Sequence, residues 1–322
     1  MQQMKLTKYA KYAWFVLLFT IGVILWGAFV RATGSGAGCG SHWPSCNGVV
    51  VPLNPSAETL IEFTHRVTSG VALLMVVGLL LWARRSYPQG HHVRLGASLS
   101  MFFMITEALV GASLVLFGWV ADDVSVGRAL SISVHLVNTF FLLGALSLTS
   151  WWASGGAPIQ LQGHGLVLVA LLVALSGVMV IGVTGAITAL GDTLFPAGSL
   201  SEGMRQDIDP TAHFLIRLRV FHPIIAILTG FYQFLVSGLV GLLSPSKIVK
   251  RFAAIVAVMF FIQLGAGLVN LILLAPVWMQ LVHLFLADVV WISLVLLTAS
   301  ALSVEAREPA KETEAARLSA AD

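Results

Sequence analysis

Eight long apolar stretches recur along the chain, at about 13–30, 62–83, 95–119, 129–152, 165–190, 213–243, 252–274 and 277–303. Each approaches the roughly 20 residues a helix needs to cross the hydrocarbon core of a bilayer. Most connections between them are short. The pattern predicts an all-α polytopic membrane protein of eight transmembrane helices, with no soluble domain left over. The first stretch reads as a span, not a cleaved leader. Its apolar run exceeds a usual leader core, and no small-x-small cleavage site precedes polar sequence.

Composition agrees with this pattern. The 322 residues are 57% hydrophobic and only 10% charged, against roughly 25% charged in a soluble domain. The formal net charge of +3 is scattered over the loops, so no face is built for nucleic acid. Lys and Arg are nonetheless unevenly placed. Twelve flank one side: Lys5, Lys8, Lys11, Arg84, Arg85, Arg94, Lys247, Lys250, Arg251, Arg307, Lys311 and Arg317. Six flank the other: Arg31, Arg66, Arg128, Arg205, Arg217 and Arg219. The positive-inside rule then predicts a multi-pass protein of the cell (plasma) membrane with both termini cytoplasmic. Residues 304–322 are expected to form a disordered cytoplasmic tail.

The chain also resembles itself. Gly27-Ala28 is matched by Gly185-Ala186, His65 by His222, and Glu107 with Gly111 by Gln263 with Gly267, at offsets of 158, 157 and 156. His135 and His283 follow at an offset of 148, because the loop before the last span is shorter. Two tandem pseudo-symmetric four-helix bundles are expected, 1–155 and 156–303, related by an axis along the membrane normal.

Each unit carries two histidines in its second and fourth spans: His65 with His135, and His222 with His283. Ionisable groups inside a membrane are functional by default. Helix directions put all four towards the outer leaflet. Two neutral imidazoles from facing helices suit axial ligation of a haem iron, whereas zinc would want three or four ligands. A packing histidine is the bland reading for any one of them. Four, paired by a repeat and matched in depth, point to ligation. Arg66, Arg217 and Arg219 lie near these histidines and are candidate partners for haem propionates. His42, His91, His92, His164 and His213 have no repeat counterpart and read as interfacial or loop residues.

Glu62 precedes His65 by three residues and shares its helix face. It reads equally as a proton carrier beside a haem edge or as a cap or ion-pair partner of Arg66. Its repeat counterpart is Arg219, so the acid occurs in one half only. Glu107 and Asp288 read as packing or proton-path residues. Cys39 and Cys46 fall together in the first outer loop. A disulfide is the expectation there, either as a structural staple or as a redox-active pair.

Taken in order, these residues resemble the haem A synthase family. The run Gly34-Ser35-Gly36-Ala37-Gly38-Cys39 through Trp43-Pro44-Ser45-Cys46 is similar to that family's outer-loop signature, and Glu62-Phe63-Thr64-His65-Arg66 to its Glu-x-x-His-Arg motif. The resemblance implies oxidation of the ring methyl group of haem O to a formyl group, by successive hydroxylations to a gem-diol and loss of water. It implies a substrate-haem site at His65 and His135, with Glu62 catalytic, and a haem b cofactor on His222 and His283. It also suggests a haem O synthase and oxidase assembly factors as partners. The oligomeric state stays open, with a homo-oligomer among the alternatives. Some family members carry a second cysteine pair between spans five and six, where Gly191–Ala212 has none. A bis-histidine electron carrier that oxidises quinol is the rival reading, and a tandem-repeat transporter the more distant one.

Overall fold

The computed structural model describes residues 6–303, and the expected tail beyond them lies outside the described residues. Among those residues, eight helical stretches are long and apolar enough to cross a membrane. They comprise α1 (Lys8–Ala32), α2 (Ala57–Ser86), α3 (His92–Leu116), α4 (Val126–Ala153), α5 (Gly165–Leu194), α7 (Phe214–Arg219) continued by α8 (Phe221–Leu243), α9 (Lys247–Ile272) and α10 (Val277–Ala301). A short helix, α6 (Leu200–Ile208), stands between α5 and α7. The protein is an all-helical, multi-pass membrane protein.

Local sequence explains the boundaries. The hydroxyls of Thr7, Ser56, Ser125 and Ser199 accept from the exposed backbone N–H groups that open α1, α2, α4 and α6, as N-caps do. His91 and His213 do the same with a ring nitrogen, for α3 and α7. The sixth span is interrupted at Val220, where the apolar pattern predicted one continuous helix. Pro223 lies four residues after Arg219 and has no N–H to offer the Arg219 carbonyl, so the ladder breaks there.

The bundle is arranged around α4 and α10, the two spans most enclosed by protein. They meet at Phe140 and Trp291. The two rings stack with centroids 5.0 Å apart, and the Trp291 indole N–H donates to the Phe140 carbonyl at 2.6 Å. Around this pair, α1 packs on α2, α2 on α3 and α3 on α4, while α5 packs on α8, α8 on α9 and α9 on α10. Helices α1 and α5 each touch both α4 and α10. The outward faces carry large apolar side chains such as Phe102, Leu109, Phe231 and Phe261, all exposed. That is the surface a bilayer covers, since lipid imposes no penalty on them.

Tyrosine hydroxyls tie the helix pairs together. Tyr12 donates from α1 to the Met75 carbonyl of α2 at 2.9 Å. Tyr232 donates from α8 to the Ala170 carbonyl of α5 at 3.2 Å.

Candidate functional site

The four histidines of the sequence pattern sit about two turns from the starts of α2, α4, the α7–α8 span and α10. Each ring edge lies against a glycine of a neighbouring helix. A Cβ added to Gly27 of α1 would stand 2.8 Å from Cε1 of His65, and one on Gly185 of α5 would stand 2.9 Å from Cε1 of His222. The same atom on Gly267 of α9 would be 3.1 Å from Cε1 of His283, and on Gly111 of α3, 3.8 Å from Cε1 of His135. A side chain at Gly27 or Gly185 would push the imidazole away. The matching glycines seen in the sequence are therefore the seats of the histidine rings, a role that their spacing alone does not reveal.

The rings of His222 and His283 are perpendicular, with centroids 6.4 Å apart. A metal–imidazole bond is about 2 Å long, so this spacing suits one metal ion held between two ring nitrogens. Nδ1 of His222 lies 3.2 Å from the Thr184 hydroxyl. With Nδ1 taken up by that contact, Nε2 of His222 is the ring nitrogen left for a ligand.

In the other half, His65 stands on α2 and His135 on α4. Nδ1 of His65 is buried without a hydrogen-bond partner, and Nδ1 of His135 has Glu107 Oε1 at 3.5 Å. Orphaned ring nitrogens in an apolar bundle, over glycine cradles, fit an iron porphyrin held by paired imidazoles. Among the described residues no group of three or more His, Cys, Asp or Glu is clustered for a bare metal ion.

Beside His65, the carboxylate of Glu62 is 3% exposed and engaged on both oxygens. Oε2 accepts the Cys39 N–H at 2.7 Å, and Oε1 pairs with the Arg66 guanidinium. Arg66 also donates to the carbonyls of His42 at 2.6 Å and Ser45 at 2.5 Å. The ion-pair alternative for Glu62 is thus realised, and the same pair anchors the loop that Cys39 and Cys46 close with a disulfide. Gly38 lets this loop reach the first turn of α2. A Cβ there would meet the Glu58 carbonyl carbon and oxygen at 2.5 Å, and the Gly38 carbonyl accepts from Thr59 Oγ1 at 2.7 Å.

Arg219 stands in the C-terminal half where Glu62 stands in the N-terminal half. It is buried and bound to Asp207 at 2.5 Å, Asp192 at 3.2 Å, the Gly203 carbonyl at 3.3 Å and Gln206 at 3.1 Å. An ionic clamp onto α6 therefore closes the segment in which the sequence has no cysteine pair. Arg66 and Arg219 are both committed to protein partners. Arg217 is exposed and lines a cavity of about 540 Å³ with Phe214, Leu218 and Phe221. That cavity is not lined by any of the four histidines.

The partners of two further polar residues, Arg31 and Asp288, are not shown by the sequence. Arg31 of α1 donates to the Ala189 carbonyl and the Thr193 hydroxyl of α5, both at 2.9 Å, and to Gln280 of α10 at 2.7 Å. It stands one turn past the seat of His65, and Gln280 one turn before His283. Asp288 is wholly buried, and neither carboxylate oxygen has a hydrogen-bond partner.

A model of the cytochrome oxidase assembly protein family (COX15-CtaA) matches residues 10–295. The chain belongs to this family. Two proteins from separate strains of Thermus thermophilus, each called protoheme IX farnesyltransferase, are 55% and 56% identical over 296 residues. The match covers 92% of this chain and 49% of each relative, so the chain spans about half the length of these Thermus proteins. A heme A synthase of Exiguobacterium sibiricum is 29% identical over 236 residues, covering 72% of this chain and 74% of the relative. A heme A synthase of Lysinibacillus sphaericus is 43% identical over 108 residues, covering 33% of this chain and 35% of the relative.

Proposed function

We propose that this protein is a haem A synthase, a membrane oxidoreductase that converts the ring methyl group of haem O to a formyl group. Family membership and the heme A synthases among its relatives support the reaction class. The observation that carries it is the pairing of four glycine-seated histidines with a buried carboxylate three residues before the second-span histidine in one half, where the other half has Arg219. A plain bis-histidine electron carrier would need no such asymmetry.

In this reading residues 1–155 form the substrate unit and 156–303 the cofactor unit. The matched packing order of α1–α4 and of α5, α8, α9 and α10 supports two units, as do the Tyr12–Met75 and Ala170–Tyr232 ties at repeat-related positions. His65 and His135 hold the iron of haem O, and His222 and His283 hold haem b. Haem b, when bound, supplies one-electron transfer. Glu62 takes up protons at the substrate edge, and its bond from Cys39 N–H fixes where its carboxylate stands. Arg217, exposed where Arg66 and Arg219 are taken up by protein partners, is the best placed of the three arginines for a propionate. The sites lie towards the outer leaflet of the cell membrane, with both ends of the chain cytoplasmic.

The name of the Thermus relatives describes proteins about twice as long. We assign their farnesyl transfer to the part that this chain does not match. A haem O synthase is then the natural supplier of substrate, joined to this unit in those relatives.

Haem identification tests the reading. The chain is expressed with and without a haem O synthase, and the extracted haems are separated by chromatography with mass detection. Haem A or its hydroxymethyl precursor should appear beside haem B only with the synthase. Haem B alone in both would favour the electron carrier. Haem O made by this chain without a synthase would assign it the farnesyl transfer instead.

A further inference from the structure

The two histidine pockets differ in what stands behind the fourth-span histidine. In the N-terminal half, Glu107 of α3 places Oε1 3.5 Å from Nδ1 of His135. No other polar group reaches that nitrogen, which is otherwise unpartnered. The carboxylate is held from α4 by two donors. Asn138 Nδ2 donates to Oε2 at 2.6 Å, and the Thr139 hydroxyl donates to Oε1. Thr106 donates to Asn138 Oδ1 at 2.6 Å, which turns the amide so that its NH2 faces Glu107. Both oxygens of Glu107 therefore meet donors, the arrangement of a carboxylate kept as an acceptor.

The C-terminal half has none of this. Gln263 replaces Glu107, and its amide nitrogen lies 3.4 Å from Nε2 of His283 while donating to the His283 carbonyl at 3.1 Å. The positions matching Asn138 and Thr139 are Leu286 and Ala287. A carboxylate cradle of four residues is thus built behind one histidine, while the other has only a neutral amide. Burying a carboxylate in a membrane bundle is costly, so its presence there points to a function.

We propose that Glu107 is a positioning residue for His135. Its carboxylate accepts from the His135 Nδ1–H, fixes the tautomer with Nε2 towards the iron, and makes this imidazole a more electron-donating ligand than His283. An outer carboxylate partner raises the basicity of a ligating histidine in this way. The two sites then hold iron at different potentials, with the N-terminal one lower. Glu107 stands at Nδ1 of His135 and Gln263 at Nε2 of His283, whose Nδ1 has no hydrogen-bond partner; with iron on the nitrogen opposite each side chain, exchanging the two side chains should exchange the property.

This inference rests on the paired-histidine haem reading, and the test separates the two. The full chain is purified with haem b in the C-terminal pocket and with haem O supplied to the N-terminal one. Midpoint potentials are followed by optical redox titration, and iron–histidine stretching by resonance Raman. Gln263→Glu should move the haem b potential downward and stiffen its iron–histidine stretch. Glu107→Gln should move the N-terminal potential upward and soften the stretch. Glu107→Asp, with a shortened acid, should fall between the two. Unmoved potentials in a haem-loaded Gln263→Glu protein, together with unmoved potentials in Glu107→Gln, would overturn the role of Glu107 and leave the haem reading standing. If Glu107→Gln fails to load, the Gln263→Glu shift decides alone. A wild-type chain that holds no haem would overturn both readings.

Discussion

His65 lies with its Cε1 edge against Gly27, so closely that a methyl group on that glycine would stand 2.8 Å from the ring carbon and 3.1 Å from Nε2. The relationship recurs at Gly185 with His222, where the ring carbon would be 2.9 Å away, and loosens at Gly111 with His135, where it would be 3.8 Å. Real contacts do not reach the first two distances, whereas the last is ordinary packing.

Graded glycine substitutions should therefore give graded loss of haem. Overpacking costs about 1–3 kcal/mol, so Gly27→Ala and Gly185→Ala should each weaken retention about tenfold, in the N-terminal and C-terminal pocket respectively. Gly111→Ala should be close to wild type. Haem content per purified protein, read by absorbance, checks the order. Equal loss in all three would break the link to ring seating.

Glu62→Gln preserves an acceptor for the Cys39 N–H but removes the charge beside Arg66. Haem b should remain at wild-type content while haem A formation falls to background. Full turnover in this variant would remove Glu62 from the chemistry. Glu62→Ala should do more damage, because Arg66 keeps a half-buried charge and loses its only acidic partner among the described residues. Breaking a buried pair costs about 3–5 kcal/mol, here softened by the His42 and Ser45 carbonyls. A lower melting temperature for Ala than for Gln checks this.

The Cys39–Cys46 bridge closes a short loop that Arg66 and Glu62 also hold. Loop-closure entropy assigns such a bridge about 2–3 kcal/mol. A Cys39→Ser, Cys46→Ser double variant should exchange amide hydrogens faster in the loop, and the Arg66 bonds should keep α2 in place. If the bridge is a structural staple, activity at low temperature survives in the double variant. Activity lost there while haem content and loop protection stay normal would identify a redox role.

Arg31 bonds α1 to α5 and α10. Hydrogen bonds from a charged group contribute about 1.5–3 kcal/mol each. Arg31→Leu should lower thermal stability and loosen haem b retention, because Gln280 is one turn from His283. Arg217→Leu, at an exposed position, should leave stability unchanged. Similar melting curves for the two variants would count against the latch.

Arg219→Ala should release α6. Asp192 and Asp207 would be left without their shared cation. Faster hydrogen exchange and protease cleavage within 200–208 are expected, with α1–α4 unaffected. An α6 as protected as in wild type would show that the clamp is dispensable.

The eight spans, the four histidines and the Glu62 motif were legible in the chain because each is a local property. Apolar length decides spanning, and a polar residue inside an apolar run stands out at once. The matching offsets of single residues were legible too, and the proposed two units rest on them. Partners were not legible, because a sequence does not say which donors meet which acceptors. Nothing in the sequence says that Gly27 touches His65, that Glu107 stands behind His135 and is held by Asn138 and Thr139, or that Arg219 clamps α6 while Arg66 is taken up by Glu62 and two loop carbonyls. Arg31 looked like one more loop-end charge until α5 and α10 were packed against it. Helix formation needs only neighbours in sequence, whereas these contacts join positions brought together only when the helices dock. Tertiary packing therefore decided the differences between the two pockets, from a chain that had already set out their likeness.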